Sequence, residues 1–399
     1  MREARTQVVI VGAGPAGLSL AHLLWREGID AVVLEARSRE YCERRVRAGL
    51  LEPGTVEFLS ELGLDRARRE GMTHHGIELH FGGERHRIPI AEIAGMCTTI
   101  YPQQEVVKDL LAASDAIGGR VLFEVADVTL HDLTSTAPVV RFRHRGEEQA
   151  LRGDIVAGCD GFHGVSRAAI PDSALRTFES EHAATWFGVL AEVAPTTEEL
   201  VYGLHERGYA MHSMRGPNLT RLYFQYDPAD PDHPSSWSQE RVWEELGSRL
   251  ATADGWDQPQ GPIVDRVDFS IRAFIVEPMR YGRLFLAGDA AHIVPPTGGK
   301  GLNAAVWDVK LLAEVLVPWF AGGGDALLDA YSPAALRRDW QMLQFSVWMT
   351  EVLAVRRPGD AMELRLKHAE LEQLVAGGTL TRSFAERYLG VFDPVAQPR

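Results

Sequence analysis

The chain has 399 residues, room for two domains or one large one, and its 45% hydrophobic content supports a sizeable core and excludes extended disorder. Its 41 Lys and Arg stand against 55 Asp and Glu, a balance of −14 that argues against nucleic acid or an anionic membrane as a partner. Three scattered cysteines, Cys42, Cys97 and Cys159, give neither a disulfide framework nor a metal-ligand spacing, so a reducing, cytoplasmic setting and no metal are expected. No apolar run is long enough to span a bilayer, and the apolar start passes straight into glycines without a cleavage-site pattern, so no signal peptide is expected either.

In chain order, Val8–Val11 is a β-branched run that reads as a buried parallel strand. Gly12, Gly14 and Gly17 follow in "GAGPAG", then Leu18, Ala21, Leu24 and Trp25 at helical spacing, then a second strand, Ala31–Leu34, ending at Glu35. Strand, glycine turn, helix, strand and acid make the βαβ dinucleotide fingerprint in full context. The first glycine turns tightly, the second lets a pyrophosphate approach, and the third lets helix pack on strand; Glu35 stands where a ribose hydroxyl needs an acceptor. Residues 76–90 alternate around Gly82 and Gly83 and read as a hairpin, and residues 105–118 read as an amphipathic helix. Two or three strands are expected after it, before a second apolar strand ends at Gly158, Cys159, Asp160 and Gly161.

From about 177 to 272 the pattern becomes mostly antiparallel, with strands expected at 186–193, 202–211, 221–226 and 264–271 and one helix, "QERVWEELGSRL", among them. A third strand then ends at Gly288 and Asp289 and enters the loop "AAHIVPPTGGKGLN". The last seventy or so residues read as helical, with the Trp- and Met-rich run 340–349 as core. The fold class is therefore α/β (α+β): a Rossmann-like domain with a parallel sheet, interleaved with a mostly antiparallel β-sheet substrate domain and a helical C-terminal region. The expected boundaries are 1–175, with an inserted hairpin near 76–100, then 176–275, then 276–399.

Three glycine-bearing strand ends but one fingerprint suggest a single long ligand. The first tip would take pyrophosphate and ribose, and Asp289 a polyol chain. A loop of Pro and Gly, stiff and bare, would lie against a flat ring. That ligand is FAD. The competing reading of Asp289 is an ordinary helix N-cap. A second cluster stands at 202–226. Ser213 and Arg215 share one face of a period-2 strand, and Arg221 and Tyr223 share a face of the next. With Tyr202 they could form a carboxylate clamp, since Arg presents a bidentate fork. They could equally be a solvated sheet face.

Together "GAGPAG", "GCDGFHG" and "GRLFLAGDAAHIVPPTGGKGLN" resemble the hallmarks of the single-component, FAD-dependent aromatic hydroxylases, over essentially the whole chain from Thr6 to about Gly390. The resemblance implies hydroxylation of 4-hydroxybenzoate at the 3-position to 3,4-dihydroxybenzoate, with NADPH or NADH and O2 as co-substrates, in a homodimer. It implies that Gly12, Gly14, Gly17 and Glu35 hold the ADP half of FAD. Arg45, Val46, Arg47, Gln103 and Asp160 would contact the cofactor further along, and Asp289 its ribityl chain. Gly298, Lys300, Gly301, Leu302 and Asn303 would lie against the ring system, with the Lys300 charge nearby; Arg221 would help position the flavin. Ser213, Arg215 and Tyr223 would bind the substrate carboxylate. Tyr202 would touch the phenol oxygen, Tyr388 would relay its proton, and His74 would be the outer end where protons reach solvent. Pro296 would offer its carbonyl to the substrate hydroxyl, and Trp186, Leu200, Met211, Thr297 and Gly299 would wall the ring. The nicotinamide nucleotide, lacking a second fingerprint, would meet His163, Arg167, Arg272, Arg45 and Tyr41.

The chemistry explains such a set. Oxygen delivered from a reduced flavin is electrophilic, so a phenolate ring reacts far better than a phenol. A phenol's pKa is about 10, so ionisation near neutrality needs hydrogen bonds and positive potential. Two departures from the family pattern matter. Gly299 stands where the family carries Ala, which would free room for a slightly bulkier substrate; separately, both tyrosines and the clamp would equally suit a related acid, 3-amino-4-hydroxybenzoate or 3,4-dihydroxybenzoate. Ala36 replaces a basic residue while Tyr41 is kept, which leaves NADH and NADPH both open. A reading of another class, a non-catalytic binder that has lost the flavin, is disfavoured by the presence of Tyr202, Tyr388 and Pro296.

Overall fold

The run Val8–Val11 is buried on both faces and lies inside a six-stranded sheet. In this computed structural model, which describes residues 2–392 apart from the side chains of Arg2, Phe269 and 181–184, the strand order is Arg280–Tyr281, Leu284–Leu286, Ile155–Gly158, Val8–Val11, Ala31–Leu34 and Arg120–Leu122. All neighbours are parallel except the first pair. Short, wholly apolar strands of this kind need cover on both faces. The helices Pro15–Arg26, Gln103–Ala116 and Gly301–Phe320 contribute to that cover. Gly158 pairs with Val11 on one side and Leu286 on the other. The three strand ends read from the sequence therefore stand side by side at the carboxyl edge of one sheet, where open α/β sheets bind ligands.

Four strands, not two or three, separate the helix from Ile155–Gly158. Arg120–Leu122 joins the six-stranded sheet. Ala126–His131, Val139–His144 and Glu147–Arg152 form a separate sheet with Arg2–Arg5. "ADVTLH" is too polar to announce itself as a strand, and its burial is only partial.

The largest sheet has eight strands, in the order His292–Ile293, Ile263–Glu277, Arg176–Ala191, Leu219–Tyr226, Gly208–Gly216, Leu200–His205, Ile77–Phe81 and Glu84–Ile88. It is antiparallel except where Leu200–His205 meets Ile77–Phe81. The hairpin turns at Gly82 and Gly83, with φ of +63° and +80°, as a tight turn with two left-handed residues requires. It extends this sheet rather than the nucleotide-binding one. The single strand expected over 202–211 is two strands, reversing at Glu206 and Arg207. The break at His205, Glu206, Arg207 and Gly208 is the turn between them.

The sheet's outer face, with Phe187, Val189, Leu222 and Phe224, packs under Val242, Trp243, Leu246 and Leu250 of the helix Gln239–Leu250. Its inner face, with Trp186, Tyr202, Leu204 and Tyr209, packs against Phe345, Met349, Leu353, Phe384 and Tyr388 of the helices Tyr331–Leu353 and Thr379–Tyr388. Met342 and Met349 are core as expected. Trp340 and Trp348 instead stand at the rim, donating to Glu277 and Glu370. Among the described residues no helix is long and apolar enough to cross a membrane.

Candidate active site

At the first strand tip each glycine has a separate cause. A Cβ on Gly12, whose φ is +105°, would lie 2.3 Å from the Cys159 carbonyl oxygen, and one on Gly17 would lie 1.9 Å from the Gly12 carbonyl oxygen. Gly14 has nothing within 4 Å, so the open space needed by a phosphate lies there, at the N-terminus of Pro15–Arg26. Glu35 is held beside the turn by the amides of Ala13, at 2.7 Å, and Arg37, at 2.8 Å. At the second tip Asp160 accepts from the Ser166 amide at 2.9 Å, while its other oxygen is buried without a partner, and burial lifts its carboxyl above the usual range. At the third, Asp289 caps no helix: it is partly exposed and its carboxylate lies 3.5 Å from Arg47 Nη1. Arg45, Val46 and Arg47 are exposed in an irregular segment, and Gln103 opens the helix Gln103–Ala116 half-buried. A cradle open at one glycine, an orphaned acceptor and a bare aspartate along one sheet edge fit FAD.

The Pro-Gly loop is a 3-10 turn, Pro296–Gly298, closed by the Gly299 amide donating to the Pro296 carbonyl at 2.9 Å. Asn303 fastens it. Its amide donates to the carbonyls of Leu50, at 2.9 Å, and Gly299, at 2.8 Å; its oxygen accepts from the Glu52 amide and the Thr55 hydroxyl. A Cβ on Gly298 would lie 3.3 Å from Phe345 and Ser346, and Gly301 and Leu302 start the next helix half-buried.

Two expectations are corrected here. Lys300 is fully buried and donates to Glu52 Oε1 and to the Tyr388 carbonyl, both at 2.6 Å. Its charge is neutralised by Glu52, so it does not act as a free positive potential. Gly299 does not open room for a bulkier ring. Its φ is +65°, and an added methyl would lie 2.4 Å from Leu50 Cδ2, so Leu50 already fills that space. Gly299→Ala should therefore cost about 1–2 kcal/mol of stability through its left-handed backbone, and more through the displacement of Leu50. Urea unfolding would show this, and the relative affinities for small and bulky benzoates should not move.

On the inner face of the large sheet, Ser213 pairs with Arg221, and Met211 pairs with both Tyr223 and Tyr202. With a side-chain period of two, this register puts Tyr202, Met211, Ser213, Arg215, Arg221 and Tyr223 on one face, and Leu200 and Trp186 join them there. Arg215 Nη1 donates to Ser213 Oγ at 2.6 Å and to the Met214 carbonyl at 3.1 Å, and its guanidinium also hydrogen-bonds Tyr223. Among the described residues no carboxylate pairs with it. Burial above all, and Arg221 beside it, lower its pKa against the opposing pull of Tyr223. Arg221 is buried too, but Asp265 meets its Nη2 at 3.1 Å.

At the other end of the row the buried Tyr202 hydroxyl donates to the Thr297 carbonyl at 3.0 Å and lies 3.1 Å from the equally buried Tyr388 hydroxyl. Burial pushes both phenols above the usual tyrosine range. Thr297 is locked by Thr350, hydroxyl to hydroxyl at 2.7 Å, and the Pro296 ring is exposed. His74 departs from expectation. It is buried, and among the described residues neither ring nitrogen has a partner. Burial chiefly, with Arg215, His212 and His75, holds its pKa down at about 4. The imidazole at solvent is the neighbouring His75.

Of the nicotinamide set, Arg167 and Arg272 lie over the Phe162 ring at 4.6 and 4.8 Å, with exposed His163 edge-on to it. Neither arginine is idle: Arg167 donates to the Ala290 carbonyl at 3.0 Å, and Arg272 meets Glu179 at 3.1 Å. Tyr41 stands apart from them, under Arg37 and Arg45.

The sequence reading missed one group entirely. His292 Nε2 lies 2.7 Å from Asp308 Oδ2 and 3.7 Å from Asp339 Oδ1, all three buried. The same Asp308 oxygen accepts the Gly288 amide at 2.7 Å, so the group braces the turn that carries Asp289. His292 and Asp308 are hydrogen-bonded, and Asp339 faces His292 across a longer ion-pair distance. Burial alone would depress the His292 imidazole; the facing Asp339 and Asp308 carboxylates reverse that and lift it to about 10. Burial, then Asp308, lifts Asp339 well above the carboxylate range. The His292 imidazole thus holds a proton that the unfolded chain releases sooner, at about 6.5. Stability should fall as pH rises, most clearly from 6.5 to 10, and Asp339→Asn should make that fall shallower. Urea midpoints across that range would check it.

Comparison with known proteins agrees with this geometry. The FAD binding domain family model matches residues 5–346. The p-hydroxybenzoate hydroxylase of Acinetobacter baylyi is 40% identical over 393 residues, 98% of this chain and 96% of its own. The 3-(3-hydroxy-phenyl)propionate/3-hydroxycinnamic acid hydroxylase of Mycolicibacterium gilvum is 26% identical over 91% of this chain and 63% of its own. The crystal structure of p-nitrophenol 4-monooxygenase PnpA from Pseudomonas putida superposes with a TM-score of 0.80 at 20% identity, covering 98% and 99% of the two chains. The chain therefore belongs to the FAD-binding-domain family, among the FAD-dependent aromatic monooxygenases.

Proposed function

We propose that the protein hydroxylates 4-hydroxybenzoate at the carbon beside its hydroxyl group, giving 3,4-dihydroxybenzoate, with NAD(P)H and O2 as co-substrates. The observation that carries this reading is the unpaired Arg215 guanidinium at one end of a sheet face whose other end holds the Tyr202–Tyr388 hydroxyl pair. A cation without a counter-ion calls for an anion, and paired phenol hydroxyls call for a third oxygen to join them. A benzoate with a para oxygen supplies both. The likeness to a p-hydroxybenzoate hydroxylase supports the same choice.

Bound along Gly12, Gly14, Gly17, Glu35, Asp160 and Asp289, FAD supplies redox chemistry between the nicotinamide nucleotide and O2. The chain does the rest. Ser213, Arg215 and Tyr223 fix the acid end, which sets the ring carbon offered for reaction. Tyr202 turns its proton from the Thr297 carbonyl toward the substrate oxygen and stabilises the phenolate. Tyr388 donates in turn to Tyr202; with both bonds reversed, the substrate proton passes to Tyr202 as that of Tyr202 passes to Tyr388 and that of Tyr388 passes to water, so no oxygen holds two. Residues 1–175 and 276–399 would hold the cofactor and 176–275 most of the substrate contacts.

The test is a panel of 4-hydroxybenzoate, 3-amino-4-hydroxybenzoate, 3,4-dihydroxybenzoate and benzoate, with hydroxylated product quantified alongside NAD(P)H loss. We expect stoichiometric product from 4-hydroxybenzoate and none from benzoate. NAD(P)H loss without product from every para-hydroxylated acid would refute the proposal.

A further inference from the structure

Tyr209 stands on the pocket face of Gly208–Gly216, two residues before Met211, and is fully buried. Its ring stacks on Trp186, with centroids 4.3 Å apart and planes 21° apart, and lies 6.4 Å from the Tyr202 ring. The backbone is pinned on both sides. Its amide donates to Gln225 Oε1 at 3.3 Å, and its carbonyl accepts from Arg249 at 3.3 Å. Gln225 is itself clamped by the amide and carbonyl of Val355, at 3.0 and 2.6 Å, and its oxygen already accepts two amides. The ring cannot swing away without losing its stack.

Among the described residues the Tyr209 hydroxyl nevertheless has no hydrogen-bond partner. The other buried tyrosines do. Tyr101 donates to Asp109, Tyr331 to the Leu286 carbonyl and Tyr202 to the Thr297 carbonyl, while Tyr388 shares a bond with Tyr202. A buried hydroxyl left unsatisfied is destabilising, and a structure tolerates one where something else completes it. The titratable groups that act on the Tyr209 hydroxyl are those of Tyr202 and Tyr223, which the proposed function places at the phenol end and the acid end of the ring. On this face Tyr209 is the neighbour of Met211, whose cross-strand partners are Tyr202 and Tyr223, so a hydroxyl reaching toward that pair would meet the ring's edge. Unsubstituted 4-hydroxybenzoate offers only C–H along that edge.

We propose that Tyr209 is a specificity-determining residue whose hydroxyl hydrogen-bonds a polar substituent on the ring carbon beside the substrate hydroxyl, so that the pocket takes, besides 4-hydroxybenzoate, para-hydroxybenzoates carrying an amino or hydroxyl group there. This rests on the reading of the pocket given above. Phenylalanine at 209 keeps the stack and the fold, because the hydroxyl it removes bonds nothing in the chain.

The experiment titrates wild-type and Tyr209→Phe holoenzyme, by the perturbation of flavin absorbance, with 4-hydroxybenzoate, 3-amino-4-hydroxybenzoate and 3-methyl-4-hydroxybenzoate. The methyl compound matches the amino group in bulk without its hydrogen bond. Tyr209→Phe should weaken the amino compound by about 5- to 30-fold and shift the other two by less than about twofold. Equal shifts for all three, or none, would overturn the assignment of Tyr209. Failure of every benzoate to bind the wild-type holoenzyme would instead overturn the pocket itself, and the assignment with it.

Discussion

Replacing Arg215 with alanine should weaken 4-hydroxybenzoate binding by about 30-fold or more, roughly 2–5 kcal/mol, as read from titration of the holoenzyme's flavin absorbance. The size follows from what surrounds the guanidinium. Its partners are a serine hydroxyl, a main-chain carbonyl and a tyrosine hydroxyl, all neutral, and Asp265 is spent on Arg221 instead. The clamp is thus assembled with its charge uncompensated, and the incoming carboxylate supplies the missing anion in a bidentate geometry. The same picture fixes two controls. Removing an unpaired cation relieves the free protein, so Arg215→Ala should unfold no earlier in urea than wild type, which separates lost binding from lost fold. Arg215→Lys keeps the charge but not the fork and should fall between the two. Unchanged affinity in Arg215→Ala would remove Arg215 from the clamp.

The cradle was legible because its glycines answer to local backbone: Gly12 and Gly17 are forced by the carbonyls of Cys159 and Gly12, and such turns leave a spacing in the sequence. The alignment of three strand tips was legible for the same reason, each strand being a short apolar run that stops at a glycine. Period two showed that Ser213 and Arg215 share a face. It could not show that Arg221 and Tyr223 share it with them, because that depends on inter-strand register, where a one-residue slip sends a side chain to the other face. Contacts between distant segments were out of reach. Glu52 neutralises Lys300 from 248 residues away, and Leu50 fills the space beside Gly299 from as far along the chain. One signal was present and went unused. Asp308 shares a helical stripe with buried Ala304 and Leu312, and Asp339 with buried Ala335 and Leu343. A carboxylate on an apolar stripe needs a partner, and His292 is the residue that meets both.

Tyr202→Phe should leave 4-hydroxybenzoate binding nearly intact and lower the yield of 3,4-dihydroxybenzoate by about 10²-fold, the scale on which a positioned proton-transfer group acts. NAD(P)H would still be consumed, with hydrogen peroxide appearing in place of product. Affinity survives because it resides at the Arg215 end of the row. Reactivity does not, because the substrate phenol has a pKa of about 10 and stays protonated near neutrality unless a donor favours its anion. Tyr202 is suited to donate: burial raises its own pKa, despite the opposing pulls of Tyr388 and Arg215, so it keeps its proton while the substrate loses one. Tyr388→Phe separates the two duties. It leaves Tyr202 able to donate but removes the next oxygen in line, 3.1 Å away, so the yield should fall less at high pH, where the acid binds already ionised, than at neutral pH, where its proton must leave through the pair. His74 cannot stand in as the base. With its pKa held at about 4 and neither ring nitrogen bonded, it is neutral at working pH and can only pass a proton from one nitrogen to the other. Normal, fully coupled hydroxylation by Tyr202→Phe would show that the phenolate is made by some other group, and the pairing of Tyr202 with Tyr388 would then be a matter of packing alone.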